Sequence, residues 1–322
     1  MLAIGRKRHI NYQNEKIIIN KLTNNKNKKN KNNIQHLPEW LRKKQKLSEE
    51  VLELKRKLRN KNLHTVCESA GCPNIVECFR KPTATFMILG NHCTRNCVFC
   101  GVPKGKPDQI DPYEPLHIAE ACKELKLNHV VITSVTRDDL ADGGAEHFSK
   151  TVRSIKKLLP ASTIEVLIPD FKGSKENLKT VLQSGVEVLN HNVETVPELY
   201  SEIRPKAHYL QSLEVLRRAK EIKPDVIVKS GLMVGLGETD PQLKRVFNDL
   251  YKANCDALTI GQYLRPSTKA YPVKEYIRPE KFEQYKVDAE KAGIKWVFSA
   301  PLVRSSYNAE SLMKQFKKTP IT

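Results

Sequence analysis

Six of the chain's eight cysteines fall between residues 67 and 100, in two groups of three. Cys67, Cys72 and Cys78 are spaced C-x4-C-x5-C in VCESAGCPNIVECF, and Cys93, Cys97 and Cys100 are spaced C-x3-C-x2-C in HCTRNCVFC. Thiolates this dense hold either disulfides or a metal. A disulfide framework belongs to exported, core-poor domains, and the longest early apolar run, Ile17-Ile18-Ile19, is too short for a secretory h-region of roughly 7–15 residues. Structural zinc takes four Cys or His ligands in a closed tetrahedron. Each group here stops at three, and the nine histidines form no spaced pair. A 4Fe–4S cluster on each triad fits best. Electron carriers tie a cubane down with four thiolates, whereas three thiolates leave one iron open to a substrate or labile ligand. Cys122 and Cys255 stand alone in helix-like stretches and read as small buried apolar residues.

Clusters with open irons must be positioned, and residues 83–264 supply the scaffold. Short apolar runs at 83–90, 129–135, 162–169, 186–193, 225–234 and 256–264 alternate with helical stretches such as 115–127 and 208–222. That alternation predicts parallel βα units, and near-continuous apolar strands fit burial on both faces. The expected fold is α/β, a partial (β/α)6 TIM-type barrel with extensions at both ends covering the first triad. Six units fall short of a closed barrel and leave a lateral opening for a bulky substrate. The carboxyl ends of barrel strands form the active face. There lie the second triad with Phe99, then Thr133, Ser134, Arg137 and Asp138, then Asn192 and Glu194, then Met233 and Gly235, then Gln262 and Arg265. Asp138 and Asp139 could instead cap the next helix. The GLGE run at 235–238 lacks dinucleotide-fingerprint spacing, and its glycines are expected to let backbone approach a cofactor.

Four segments follow: a basic extension (1–37), a helix with the first triad (38–82), the barrel (83–285), and a tail (286–322). In the second, Trp40, Leu47, Val51, Leu54 and Leu58 make a stripe at helical spacing. Residues 294–303 read as a further strand ending in Arg304-Ser305-Ser306-Tyr307. The net charge of +19 is concentrated in residues 1–62, with 18 Lys/Arg against 5 Asp/Glu. Twelve of residues 20–33 are Asn or Lys, a composition that does not fold on its own. With few aromatics among those cations, nucleic-acid binding is not expected. No window reaches the roughly 20 apolar residues of a membrane span. The cytoplasm is the expected location, with an organelle the alternative.

The C-x3-C-x2-C spacing resembles the radical S-adenosylmethionine superfamily. TVCESAGCPNIVECF, CTRNCVFC, VTRDDLADGGA, LNHNVETV, MVGLGE, YLRPS and RSSY in this order resemble the lipoyl synthase family from about Leu63 to Tyr307. That resemblance implies that Cys93, Cys97 and Cys100 hold the cluster that binds and cleaves S-adenosylmethionine, giving a 5′-deoxyadenosyl radical. It implies that Cys67, Cys72 and Cys78 hold an auxiliary 4Fe–4S cluster whose fourth ligand is Ser306, with Ser305 in reserve. The implied reaction is insertion of two sulfurs, drawn from the auxiliary cluster, at C6 and C8 of an octanoyl-lysine on a carrier protein of the H-protein or 2-oxoacid dehydrogenase E2 type. Implied partners are that carrier, an electron donor such as ferredoxin or flavodoxin, and a carrier that rebuilds the cluster. Phe99, Thr133, Ser134, Asn192, Glu194, Met233 and Gly235 are expected around the cofactor, and Arg137, Asp138, Arg204 and Arg265 in the pocket. The sequence departs from the family pattern at Asn91-His92 and Asn308, where pocket tuning is expected, and the Asn/Lys-rich extension is read as having no family counterpart. The alternatives are a superfamily enzyme whose second cluster only relays electrons, which gains nothing from a labile oxygen ligand, and a cluster carrier, which needs no converging pocket.

Overall fold

Every apolar run singled out by its β-branched content becomes a strand of one sheet. The computed structural model describes residues 37–43, 48–61, 63–69, 71–80, 85–306, 309 and 313. The extension expected over 1–37, apart from its last residue, lies outside that set, as do Leu47, Tyr307 and Asn308. The strands are β1 (His64–Thr65), β2 (Thr85–Ile88), β3 (His129–Ser134), β4 (Thr163–Leu167), β5 (Val188–Asn190), β6 (Ile227–Val234), β7 (Ala257–Gln262) and β8 (Trp296–Ser299). They lie side by side in chain order. From β2 to β8 all neighbours are parallel. The partial barrel is therefore the six expected strands, extended at one edge by the strand expected at 294–303 and at the other by β1, which is antiparallel to β2.

Ten α-helices are described, introduced here in order: α1 (Glu49–Asn60), α2 (Val66–Ser69), α3 (Ile75–Arg80), α4 (Glu114–Glu124), α5 (Ala145–Leu158), α6 (Lys175–Leu182), α7 (Tyr200–Ile203), α8 (Tyr209–Ile222), α9 (Asp240–Lys252) and α10 (Pro279–Lys291). Their starts follow local chemistry. Asp142 accepts from the backbone N–H groups of Gly144 and Glu146, each at 2.9 Å, and so starts α5. Thr239 and Gln242 form a reciprocal capping box at α9, with a proline in its first turn. Phe148, Val152 and Ile155 on α5 are fully buried at helical spacing against the sheet. The N-terminal stripe is divided: Glu39–Leu41 is a single 3-10 turn with Trp40 exposed, while Val51 and Leu58 of α1 are buried.

The barrel interior is not wholly apolar. Glu165 on β4 and Lys229 on β6 are both buried and paired at 2.9 Å, and the Asn190 amide of β5 donates to the same carboxylate at 3.0 Å. Burial alone would push Glu165 up, but Lys229 and His129 outweigh it and hold the carboxyl down at about 2. One buried pair removed by half typically destabilises a fold by about 3–5 kcal/mol, so this cluster fixes the register of three strands beneath the active face.

Candidate active site

The loop after β2 carries the second triad and is fastened on four sides. The backbone N–H groups of Arg95 and Thr136 both donate to Cys93 Sγ at 3.4 Å. Thr94 bonds the Thr136 carbonyl through its own N–H and hydroxyl. Val98 donates to the Ile203 carbonyl and accepts from Tyr271. Arg95, buried between the first two cysteines, forks onto two carboxylates: Asp138 at 2.8 and 3.0 Å and Asp170 at 2.8 and 2.7 Å. Arg95 thereby ties the cysteine loop to the ends of β3 and β4. Phe99 and Met233 pack with Ile203, Leu236 and Tyr263 in an apolar cluster behind the loop. Burial pushes the Cys97 thiol up and the Cys100 thiol to about 11, so protons must leave as a metal arrives.

The strand ends hold the expected polar residues, in differing roles. Thr133 donates to the Leu167 carbonyl at 3.0 Å and serves the sheet. Arg137 is buried, forks onto Asp139 and donates to the Leu89 carbonyl, so it braces the loop after β3. Asp138 and Asp139 hold arginines, and the helix cap falls to Asp142. The Asn192 amide donates to Glu194 at 3.0 Å, and burial raises the Glu194 carboxyl. Glu194 is held at φ 67, left-handed for a non-glycine, a strained state that surrounding bonds must maintain. Arg204 is buried and donates to the Asn192 and Val193 carbonyls at 3.1 and 3.2 Å. Among the described residues, Ser134 Oγ, Asn192 Oδ1 and Arg204 Nε are buried without hydrogen-bond partners. Orphaned donors and acceptors this close to a thiol loop suit a polar cofactor that would complete them.

Two expected residues do other work. Gly235 has φ 95, and a Cβ there would meet Gln262 and the Glu275 carbonyl at 2.3 Å, so it turns the chain against protein. Arg265 is exposed and donates to the carbonyls of Thr268 and Ala270, so it stiffens the loop after β7.

The first triad is gathered by α2 and α3. Cys72 donates to the Cys67 carbonyl at 3.0 Å, and Cys78 to the Asn74 carbonyl at 2.9 Å. Lys43 grips Asn74 and Glu77, both at 2.7 Å, and Asn74 donates onward to the Leu302 carbonyl at 2.6 Å. That last bond joins the triad to the segment after β8. The same segment crosses β7 over Gly261, where a Cβ would lie 2.1 Å from the Val303 carbonyl oxygen. Cys67, Cys72, Cys78, Asn74, Thr85, Arg304 and Ser306 line one small cavity. Ser305 turns the other way and accepts from Asn192 at 2.7 Å. Cys72 is held down to about 6 by the Cys67 thiol, the Asn74 backbone and the Arg304 charge, while Cys67 is pushed up.

Between the triads opens a cleft of about 380 Å³. Its wall includes Glu68, Ser69 and Gly71 from the first triad's segment, Val98, Cys100 and Lys104 from the second, and Pro266, Ser267 and Lys269 opposite. The donor sets fit iron–sulfur clusters: three thiols in each, the hydroxyl residues Thr85 and Ser306 beside the first, and no carboxylate or imidazole lining that cavity. All eight cysteines are free thiols, and among the described residues no three His, Cys, Asp or Glu side chains could hold a single metal ion.

Sequence reasoning missed Arg95 and Asn74 as parts of the site, and it set Asp170 at a strand end and Arg304 in the terminal motif without giving either a role. Arg95 and Arg304 had a signal, being cations inside a cysteine motif and beside the serine pair. Asn74 also lies inside a cysteine motif, between Cys72 and Cys78, and Asp170 is the polar end of the apolar run at 162–169.

Two family models match the chain, one for the radical SAM superfamily over residues 87–250 and one for the N-terminal domain of lipoyl synthase over residues 10–72. The second match runs through the Asn/Lys-rich stretch, which corrects the expectation that the extension has no family counterpart. The chain is 56% identical over 286 residues to a lipoyl synthase of Alkaliphilus metalliredigens, spanning 89% of this chain and 99% of that one. It is 55% identical over 273 residues to a lipoyl synthase of Caldanaerobacter subterraneus, 85% and 95% of the two chains. Among solved structures, SuiB of Streptococcus suis bound to its precursor peptide aligns with TM-score 0.54 at 10% identity, covering 81% of this chain and 55% of that one. HydG, a maturase of the FeFe-hydrogenase, aligns with TM-score 0.52 at 15% identity, covering 83% and 74%. At such identities the structures share the fold alone.

Proposed function

Since the chain belongs to the lipoyl synthase family of radical S-adenosylmethionine enzymes, we propose the following division of labour between its two triads. Cys93, Cys97 and Cys100 hold the cluster that binds S-adenosylmethionine, and Cys67, Cys72, Cys78 and Ser306 hold the auxiliary one. When bound, the two 4Fe–4S clusters and S-adenosylmethionine supply hydrogen abstraction at C6 and C8 of a protein-bound octanoyl-lysine and the two sulfurs inserted there.

The chain's own residues do the positioning. Arg95 and Thr94 hold the second triad's loop against β3 and β4. Ser134, Asn192 and Arg204 offer their unpartnered polar atoms to the cofactor, while Phe99 and Met233 exclude water behind the loop. Ser306 offers iron a hard oxygen, a weaker partner than thiolate, suited to a bond that must break when sulfur leaves. Arg304 sets a positive charge beside an anionic centre. Exposed segments around the cleft let a lysine side chain of another protein reach between both triads. The single observation that carries this reading is that cleft, whose wall takes residues adjoining Cys67 and Cys72 on one side and Cys100 on the other.

The acceptor is an octanoylated carrier domain, with a ferredoxin- or flavodoxin-type electron donor and a cluster-rebuilding carrier as further partners. No described helix is long and apolar enough to cross a membrane. Eight free thiols fit a reducing compartment, and we place the enzyme in the cytoplasm.

The test is anaerobic reconstitution with iron and sulfide, then addition of reductant, S-adenosylmethionine and an octanoyl-lysyl peptide, followed by mass measurement of the peptide. Two added sulfurs are expected. Formation of 5′-deoxyadenosine with no sulfur added would overturn the assignment while keeping the superfamily. Cys72→Ala is expected to cleave S-adenosylmethionine and add no sulfur; normal insertion would remove the auxiliary cluster as donor.

A further inference from the structure

The cleft between the triads has a charge that neither of its small-molecule guests can use. Two lysines stand in its wall on opposite segments, Lys104 just past the second triad and Lys269 in the loop after β7. Both are exposed, as is Lys106 two residues on. Among the described residues no carboxylate pairs with Lys104 or Lys269. The only acid in the wall, Glu68, already faces Lys55 at 3.5 Å and Arg59 at 3.7 Å. Among the wall's side chains the mouth therefore carries a positive surplus.

Both lysines spring from anchored backbone. Lys104 pairs with Cys93 in a parallel bridge. Lys269 sits between Thr268 and Ala270, the two residues whose carbonyls Arg265 grips.

An octanoyl-lysine in amide linkage is uncharged, so its side chain gains nothing from two lysines. S-adenosylmethionine is a sulfonium with one ammonium and one carboxylate, so its net charge is positive and a pair of lysines adds no net attraction for it. What remains is the protein surface that surrounds the acylated lysine. We propose that Lys104 and Lys269 are an electrostatic docking rim that receives the acceptor domain through carboxylates flanking its octanoylated lysine. The proposal rests on the acceptor reading above. Rim charges of this kind govern encounter and register more than the chemical step, and they weaken with salt because exposed pairs are screened within about 10 Å.

The experiment compares wild type with Lys104→Glu/Lys269→Glu on two substrates: an octanoylated carrier domain with acidic residues beside its lysine, and an octanoyl-lysyl tripeptide with neutral flanks. Iron and sulfide content of both enzymes is measured first, so that folding and loading are known to match. The double variant is expected to raise KM for the domain about tenfold, with kcat within about twofold. Its KM for the tripeptide is expected to rise several-fold less. Raising salt should raise the wild-type KM for the domain and lower the variant's, because screening weakens an attraction in the first and a repulsion in the second. Equal loss on both substrates, or no change on the domain, overturns the docking rim. If wild type adds sulfur to neither substrate, the acceptor reading itself fails and takes the rim with it.

Discussion

The Asn192 side-chain amide donates to the Ser305 hydroxyl at 2.7 Å, and this bond sorts two adjacent serines between two different sites. Asn192 lies just past β5 at the barrel mouth, whereas Ser305 arrives from the segment after β8. With Ser305 held on the barrel side, Ser306 lines the cavity of Cys67, Cys72 and Cys78. One hydrogen bond thus links the cofactor side of the site to the auxiliary side.

The serine pair predicts unequal phenotypes. Ser306→Ala should keep 5′-deoxyadenosine formation but lower sulfur insertion by at least about tenfold, the scale on which metal-site partners act. Ser305→Ala should lower both modestly, because Asn192 loses one partner and keeps Glu194. Parallel assays of 5′-deoxyadenosine and thiolated peptide decide it. Equal effects of the two variants on both products would refute the division.

Gly261→Ala tests how the tail is delivered. The added methyl would sit 2.1 Å from the Val303 carbonyl oxygen, too close for any relaxation short of moving the strap. Overpacking of this kind typically destabilises by about 1–3 kcal/mol. The expected result is a folded barrel with iron bound at the second triad and reduced loading at the first, read by iron content and by the spectrum of each reduced cluster. Full loading at both triads would show that the strap's course over β7 is dispensable.

Arg95→Lys tests the fork on Asp138 and Asp170. A lysine keeps the charge but cannot hold two carboxylates at once in a planar geometry. The second triad's loop should then loosen, with loss of its cluster while the first triad keeps its iron. Asp170→Asn should reproduce the effect, since Asp170 is nearly inaccessible and Arg95 would lack half of its compensation. If both variants load both clusters like wild type, Arg95 is a surface-like ion pair with no bearing on the loop.

The barrel was legible in the sequence because strands buried on both faces are written as apolar runs, and residues 225–234 name β6 almost to its ends. The triads were legible because cysteine is rare and spacing is local. What local spacing cannot express is which distant residues meet. The Arg95–Asp170 pair spans 75 positions and the Asn74–Leu302 bond spans 228, and both depend on strand order. The N-terminal helix was drawn too long because Trp40 continued the apolar period, although its turn ends at Leu41 with Trp40 in solvent. Gly235 was read for cofactor approach, yet the space beside it is filled by Gln262 and Glu275. Glycine reports that something comes close without saying what.

Acid should weaken the fold in two steps. Burial, reinforced by Arg204, pushes His191 down to about 4, and its Nδ1 meets the Ile168 carbonyl at 2.9 Å. Glu165 is held at about 2 by Lys229 and His129 against its own burial. Both folded values lie below the unfolded ones of about 6.5 and 4.3, so the unfolded chain binds more protons and stability rises with pH. The His191 contribution is complete above about pH 6.5 and is lost as pH falls through about 4; the Glu165 contribution follows from about 4.3 down to 2. A His191→Gln protein removes the first step. The stability difference between wild type and this variant, measured by denaturant unfolding at equal iron content, should therefore narrow between pH 7 and pH 5. A difference that stays constant over that range would mean that His191 titrates alike in the folded and unfolded chain.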